Sequence, residues 1–114
     1  MSQPATIDDI FTGLPARFDR AAAPANLLNS VFHFELADGP TKTLYTVRTV
    51  DGSVEVERGA LTGEATCLVK TNAQTYFDVE TGKMKAESAF IMGKIKVSNL
   101  GAIASFRKCF RPIA

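Results

Sequence analysis

The feature that most constrains the fold is Asp51-Gly52, which lies between two segments of alternating character, LYTVRTV at 44–50 and SVEVE at 53–57. An Asp-Gly pair in this position favours a two-residue type I′ turn, because both central residues of that turn need positive φ. The sequence therefore predicts a β-hairpin of two antiparallel strands. A third alternating segment, over residues 30–36, is followed by the turn residues 38–40 and predicts another strand before the hairpin.

The N-terminal segment has helical spacing instead. Between Thr6 and Phe18 apolar residues recur every three or four positions, and Thr6 is a suitable N-cap. Pro15 lacks a backbone N–H and should end or kink this helix near Gly13 or Leu14. The alanine-rich stretch that follows is expected to be a connector.

The C-terminal half alternates between the two patterns. The predicted elements are, in order, a strand at 65–71, a short helix from Thr71 or Asn72 to Gly82, one or two helical turns at 86–92 stopped by Gly93, a fifth strand at 94–97 and a last helix capped by Asn99. Together these elements predict an α+β fold in which helices cover one face of a sheet.

Length and composition agree with one domain over residues 1–114. No apolar run reaches the roughly 20 residues that a membrane span requires. The segment MSQPATIDDIF has no basic region followed by an apolar one, so we expect no secretion signal and a cytoplasmic location. Cys67 and Cys109 form no CxxC pair, and we expect reduced thiols packed in the core.

The residues that catalysis would need are poorly placed. His33 is the only histidine and lies on the predicted outward side of its strand, so it is unsuited to activating a cysteine or serine. There is no phosphate-binding glycine loop, no dinucleotide motif and no metal cluster. We therefore predict no enzymatic activity, no cofactor and no metal. Nucleic acid is not an expected partner either, because the basic residues are not interleaved with exposed aromatic ones.

Charge is distributed unevenly along the chain. Residues 1–82 carry a net charge of −5, whereas residues 83–114 carry +6. Such a basic pole either docks on an anionic surface or is a solvated face, in part because cations suit the negative end of the last helix. The predicted membrane-docking residues are Lys94, Lys96, Arg107, Lys108 and Arg111.

Two blocks of the sequence resemble a known family. The stretch ATCLVKTNAQTYFDVETGKMKAESAFIMGKIKV, at 65–97, has the strand, short helix, TGKM, Ala-Phe pair and GK-x-K strand of the sterol carrier protein type 2 domain, in that order. LPARF at 14–18, with the alanines after it, resembles the small free-standing bacterial members. The sequence departs from the family pattern at SNLGAIASF, where relatives commonly have an extra glycine. It also ends in RPIA, so the resemblance does not carry a peroxisomal address with it.

The resemblance implies a five-stranded, mainly antiparallel sheet with helices covering one face. It also implies an apolar tunnel between sheet and helices that accepts sterols, fatty acids or acyl chains. Large and flexible apolar side chains on both layers are consistent with such a tunnel. We therefore predict non-catalytic binding of a hydrophobic ligand, such as a fatty acid, an acyl chain, a sterol-like lipid or a quinone, with its transfer left open. The predicted ligand-binding residues are Phe32, Phe34, Tyr45, Val47, Phe77, Met84, Phe90, Met92, Leu100, Ile103, Phe106 and Phe110.

A second function stays open at this stage. The same fold with a tunnel filled by its own side chains would serve as an interaction, scaffolding or accessory module, because a cavity cannot be recognised from periodicity. Oligomeric state is also open, since the sequence has no heptad pattern.

Overall fold

The structure is a computed structural model that describes residues 5–111. Five strands form one mixed sheet. The strands are β1 (Ser30–Asp38), β2 (Thr41–Val50), β3 (Ser53–Arg58), β4 (Cys67–Asn72) and β5 (Ile95–Val97). They lie in the order β3-β2-β1-β4-β5. Strands β1 and β4 are parallel and the other neighbours are antiparallel. The predicted α+β fold with a mainly antiparallel sheet is confirmed.

The β2–β3 hairpin has the predicted turn. Asp51 has φ 50° and Gly52 has φ 80°, so both central residues lie in the left-handed region. Val50 pairs with Ser53 across the turn. A non-glycine residue adopts positive φ at low cost only when it is Asp or Asn, which explains the order Asp then Gly.

Three of the five helices begin at the predicted caps. They are α1 (Ile7–Thr12), α2 (Leu14–Arg17), α3 (Ala73–Glu80), α4 (Ala86–Ile91) and α5 (Leu100–Lys108), with single 3₁₀ turns at Arg20–Ala22 and Ala25–Leu27. Thr6, Asn72 and Asn99 each accept a hydrogen bond from a backbone N–H of the first turn. The first helix is divided at Gly13, just before Pro15, as expected. Within the described residues, none of these helices has both the length and the apolarity to cross a bilayer.

The core lies between the helices and one face of the sheet. Phe11 of α1 is fully buried and stacks on Tyr45 with ring centroids 3.9 Å apart. Its ring also lies 5.2 Å from Phe34 and 5.3 Å from Tyr76, so four aromatic rings share one cluster. Cys67 and Cys109 are buried and unpaired, in agreement with the expected core thiols.

Part of the opposite face of the sheet is covered by the segment 59–66, which is hydrogen-bonded to β1 and β2. His33 donates from Nε2 to the carbonyl of Thr62 at 2.8 Å. Arg48 donates to the Thr62 hydroxyl, and Thr46 to the carbonyl of Ala60, each at 2.8 Å. His33 thus holds this covering segment in place, which is a structural role.

Candidate functional site

A cavity of about 640 Å³ lies between the β4–β5 side of the sheet and the three helices α3, α4 and α5. Its volume is within the range of small-molecule sites, about 300–1,000 Å³. Most of its wall is apolar. The apolar and glycine lining residues are Leu14, Phe34, Val69, Tyr76, Val79, Gly82, Ala86, Phe90, Ile91, Ile95, Val97, Leu100, Ile103, Ala104, Phe106 and Phe110.

The sheet wall results from strand alternation. Val69 of β4 is paired with Val97 of β5, and both side chains line the cavity. Lys70 is paired with Lys96, and neither of these side chains lines the cavity. Because successive residues of a strand point to opposite faces, KIKV supplies two apolar groups to the cavity and its lysines to the other side.

Gly93 shapes the α4 wall. It has φ 74°, and its N–H donates to the carbonyl of Phe90 at 3.0 Å while the next N–H, that of Lys94, donates to Ala89 at 2.9 Å. A left-handed residue at this position ends a helix and satisfies its last carbonyls. The chain then turns into β5, and Phe90 and Ile91 are left at the edge of the cavity.

The α5 wall is aromatic at its inner end. Phe106 is buried, stacks on Phe32 with ring centroids 4.0 Å apart, and contacts Phe110 edge-on at 4.8 Å. Ile103, one turn earlier, lines the cavity and is half-buried. The cap at Asn99 determines where α5 starts and therefore which of its side chains face inward.

Charged groups interrupt the apolar wall beside α2 and α3. Nη2 of Arg17 lies 3.5 Å from Oε2 of Glu80, and Nε donates to the carbonyl of Arg111 at 2.7 Å. The third guanidinium nitrogen, Nη1, is buried and has no hydrogen-bond partner within residues 5–111. Glu87 and Arg107 complete the polar part of the lining.

Tyr76 lies beside this polar group. Burial raises the pKa of its phenol well above the ordinary value; the negative charge of Glu80 adds to the shift, and Arg107 and Arg17 oppose it. The phenol therefore stays neutral near neutral pH. It adds an uncharged O–H to the polar end of the wall.

Sequence analysis did not single out Arg17. A signal was present: Arg17 follows Leu14 by three positions and therefore continues the apolar stripe of the N-terminal helix, where a charged residue is unusual. A half-buried Arg on an apolar stripe needs partners, so its position indicates either an ion pair or a polar ligand.

The structure divides the twelve predicted ligand-binding residues into two groups. Six line the cavity: Phe34, Phe90, Leu100, Ile103, Phe106 and Phe110. The other six lie off the cavity wall: Phe32, Tyr45 and Val47 are buried in the core, Phe77 and Met84 are half-buried, and Met92 is exposed. Ligand contact at any of them stays a prediction.

The five predicted docking residues are all exposed but differ in position. Lys94 directly precedes β5 and Lys96 lies within it. Arg107 is part of the cavity wall. Lys108 ends α5. Arg111 donates to the carbonyl of Ala16 at 3.1 Å and is tied to α2.

Comparison with known families agrees with this architecture. The model of the SCP-2 sterol transfer family matches residues 11–108. The chain therefore belongs to the SCP-2 sterol transfer family.

Individual relatives are more distant. Peroxisomal multifunctional enzyme A of Dictyostelium discoideum is 26% identical over 94 residues, which are 81% of this chain and 21% of that protein. The sec-alkylsulfatase of Pseudomonas sp. has a similar fold over 96% of this chain and 17% of its own, with a TM-score of 0.79 and 18% identity. Regions similar to this chain thus occur within longer enzymes.

A second structural likeness covers both chains almost completely. Sterol carrier protein 2-like 2 of Aedes aegypti matches over 90% of each chain, with a TM-score of 0.70 and 15% identity. A solution structure of the same mosquito protein is of its palmitated form, with a TM-score of 0.62, 18% identity and coverage of 94% of this chain and 92% of that one. At these identities the likeness shows the fold.

Proposed function

We propose that this chain binds a hydrophobic small molecule with one oxygen-bearing end, such as a fatty acid, another acyl lipid or a quinone, in the cavity beneath α4 and α5. The observation that carries the proposal is the cavity of about 640 Å³ with its predominantly apolar wall. Burying about a dozen ligand methylenes there contributes on the order of 10 kcal/mol before the cost of association is subtracted. The palmitated form of the mosquito relative supports a ligand of this class.

The polar end of the ligand is inferred from Arg17. Its Nη1 is a buried donor without a partner among the described residues, and it belongs to a residue of the cavity wall. An unsatisfied buried donor costs about 1–3 kcal/mol, and more when it is charged. Once the guanidinium turns toward the cavity, a carboxylate or carbonyl oxygen of the ligand would satisfy it, whereas a plain hydrocarbon would not.

Replacing Arg17 with Met keeps the apolar stem but removes the donor. We expect affinity for a fatty acid to fall about tenfold to a hundredfold, because a hydrogen bond to a charged group contributes about 1.5–3 kcal/mol. Affinity for an alkane of the same chain length should stay the same. The measurement is displacement of a fluorescent fatty-acid probe by each ligand. Equal losses for acid and alkane would mean that Arg17 acts only on the shape of the cavity.

Glu80→Gln is the matched control for this variant. It weakens the same contact between α2 and α3 but leaves the Arg17 donor in place. If Glu80→Gln lowers fatty-acid affinity as much as Arg17→Met does, the loss comes from loosening of that contact and the ligand does not bond to Nη1.

The direct test of binding is native mass spectrometry of gently purified protein, followed by organic extraction and identification of the extract. We expect a stoichiometric adduct with the mass of a lipid. A bare chain that also fails to take up fluorescent fatty acid would contradict the proposal. It would favour the second candidate, an accessory module within a longer protein, which is supported by the small share of the Dictyostelium and Pseudomonas proteins that this chain spans.

A further inference from the structure

The mouth of the cavity carries a group of large apolar side chains in contact with solvent. Ile91 is 84% exposed, Met92 59%, Leu100 53% and Phe90 40%. We refer to these four residues as the rim patch. Three of them, Phe90, Ile91 and Leu100, also line the cavity, and they come from both α4 and α5. The patch therefore surrounds the opening through which a ligand would pass.

The backbone at the end of α4 fixes the position of part of the rim patch. α4 ends at Ile91 because Gly93 adopts positive φ and the N–H of Met92 donates to the carbonyl of Ser88 at 3.0 Å. Ile91 and Met92 thus stand on a hydrogen-bonded helix end. Adjacent exposed apolar side chains on an ordered element mark an interaction surface.

The charge around the rim patch indicates the kind of partner. Residues 81–100 contain Lys83, Lys85, Lys94 and Lys96 against Glu87 alone, a net charge of +3. All four lysines are exposed, and none of them forms an ion pair within residues 5–111. Residues 1–80 are net acidic, with six basic and eleven acidic side chains. An anionic surface would therefore attract the segment that carries the rim patch and repel residues 1–80.

A second copy of the chain fits this surface less well. Pairing two rim patches face to face would bring two groups of net charge +3 together, and like charges at an interface are unfavourable. A bilayer that contains anionic phospholipid meets both requirements, since it offers phosphates to the lysines and a hydrocarbon interior to the apolar side chains.

We propose that the rim patch docks on an anionic phospholipid bilayer, with Ile91, Met92 and Leu100 inserted at the boundary between headgroups and acyl chains. Lys85 and Lys94, at the two ends of α4, then face the phosphates. The docked mouth opens toward the hydrocarbon, so a lipid would move between bilayer and cavity without crossing water. This last step rests on the proposed function, whereas docking itself does not.

The test is flotation of the protein with vesicles of equal amounts of phosphatidylcholine and phosphatidylglycerol, compared with vesicles of phosphatidylcholine alone. We expect stronger association with the mixed vesicles. Lys85→Gln with Lys94→Gln should weaken it by about tenfold or more, because each basic residue near an anionic surface contributes about fivefold. Ile91→Ser with Met92→Ser should weaken it by about tenfold, since less apolar surface leaves water.

Matched controls come from β2 and β3, at the opposite edge of the sheet from β5. Lys42→Gln with Arg58→Gln removes two exposed positive charges, and Val50→Ser removes an exposed apolar side chain from β2. These variants should float like wild type. The proposal that the protein docks through the rim patch is wrong if these control variants lose as much vesicle association as the rim variants do. It is also wrong if the protein associates equally well with neutral vesicles. A concentration-dependent dimer that the Ile91→Ser, Met92→Ser protein no longer forms would also overturn it, in favour of a second copy.

Ligand uptake measured without vesicles separates docking from the proposed function. The Lys85→Gln, Lys94→Gln protein should take up fluorescent fatty acid in solution like wild type. Uptake without flotation in the wild-type protein overturns docking and leaves the proposed function intact. Flotation without uptake supports docking and contradicts the proposed function.

Discussion

Replacing Ile103 with Glu should abolish uptake of a hydrophobic ligand. Ile103 is half-buried on the α5 wall of the cavity, one turn from Phe106. An acyl chain packed against a carboxylate would have to strip it of water, and an unpaired charge in an apolar site costs several kcal/mol. We expect affinity to fall by about a hundredfold or more, as measured by titration with a fluorescent fatty acid and checked for folding by circular dichroism.

Two further variants make this result interpretable. Phe90→Glu introduces the same charge at the more exposed edge of the cavity and should keep the fold even if Ile103→Glu does not. Val50→Glu introduces it on β2, away from the cavity, and should bind like wild type. If folded Ile103→Glu and Phe90→Glu proteins both bind as wild type does, the ligand does not occupy this cavity.

Replacing Phe11 with Ala should lower the free energy of unfolding by about 3–5 kcal/mol, which is the usual range for a fully buried aromatic residue. Phe11 is the centre of the aromatic cluster with Phe34, Tyr45 and Tyr76, and its ring has no exposed surface. The loss combines the transfer free energy of the buried ring with the cost of the cavity that its removal leaves. Urea denaturation monitored by circular dichroism measures it.

Phe90→Ala is the counterpart of Phe11→Ala. Phe90 is 40% exposed and lines the cavity, so its removal should cost less than about 1 kcal/mol of stability. Its effect should fall on ligand affinity instead. A loss of stability equal to that of Phe11→Ala would contradict the division between a solid core under α1 and an open cavity under α4 and α5.

Most of the fold was predictable from local chemistry. The Asp51-Gly52 turn, the caps at Thr6, Asn72 and Asn99, and the division of the first helix at Gly13 each follow from the conformations that those residue types favour. The position of segment 59–66 was not predictable, because it is held on the back of the sheet by long-range hydrogen bonds to His33, Thr46 and Arg48.

The candidate site was predictable only in part. Alternation places Phe32 and Phe34 on the same face of β1, yet Phe34 lines the cavity while Phe32 is covered by the ring of Phe106. Periodicity gives the face of an element but not the distance to the next layer. For the same reason it could not separate Ile103, at the cavity, from Val47, in the core.

The sequence by itself determined the order of elements and the basic character of the C-terminal quarter, since turns, caps and charge are properties of short segments. Only the tertiary structure decided where the interior is solid and where it is hollow. It also decided that Arg17 belongs to the wall of the hollow part and that Ile91 and Met92 remain in solvent. Those properties depend on how closely separate elements approach one another, and no local pattern encodes that distance.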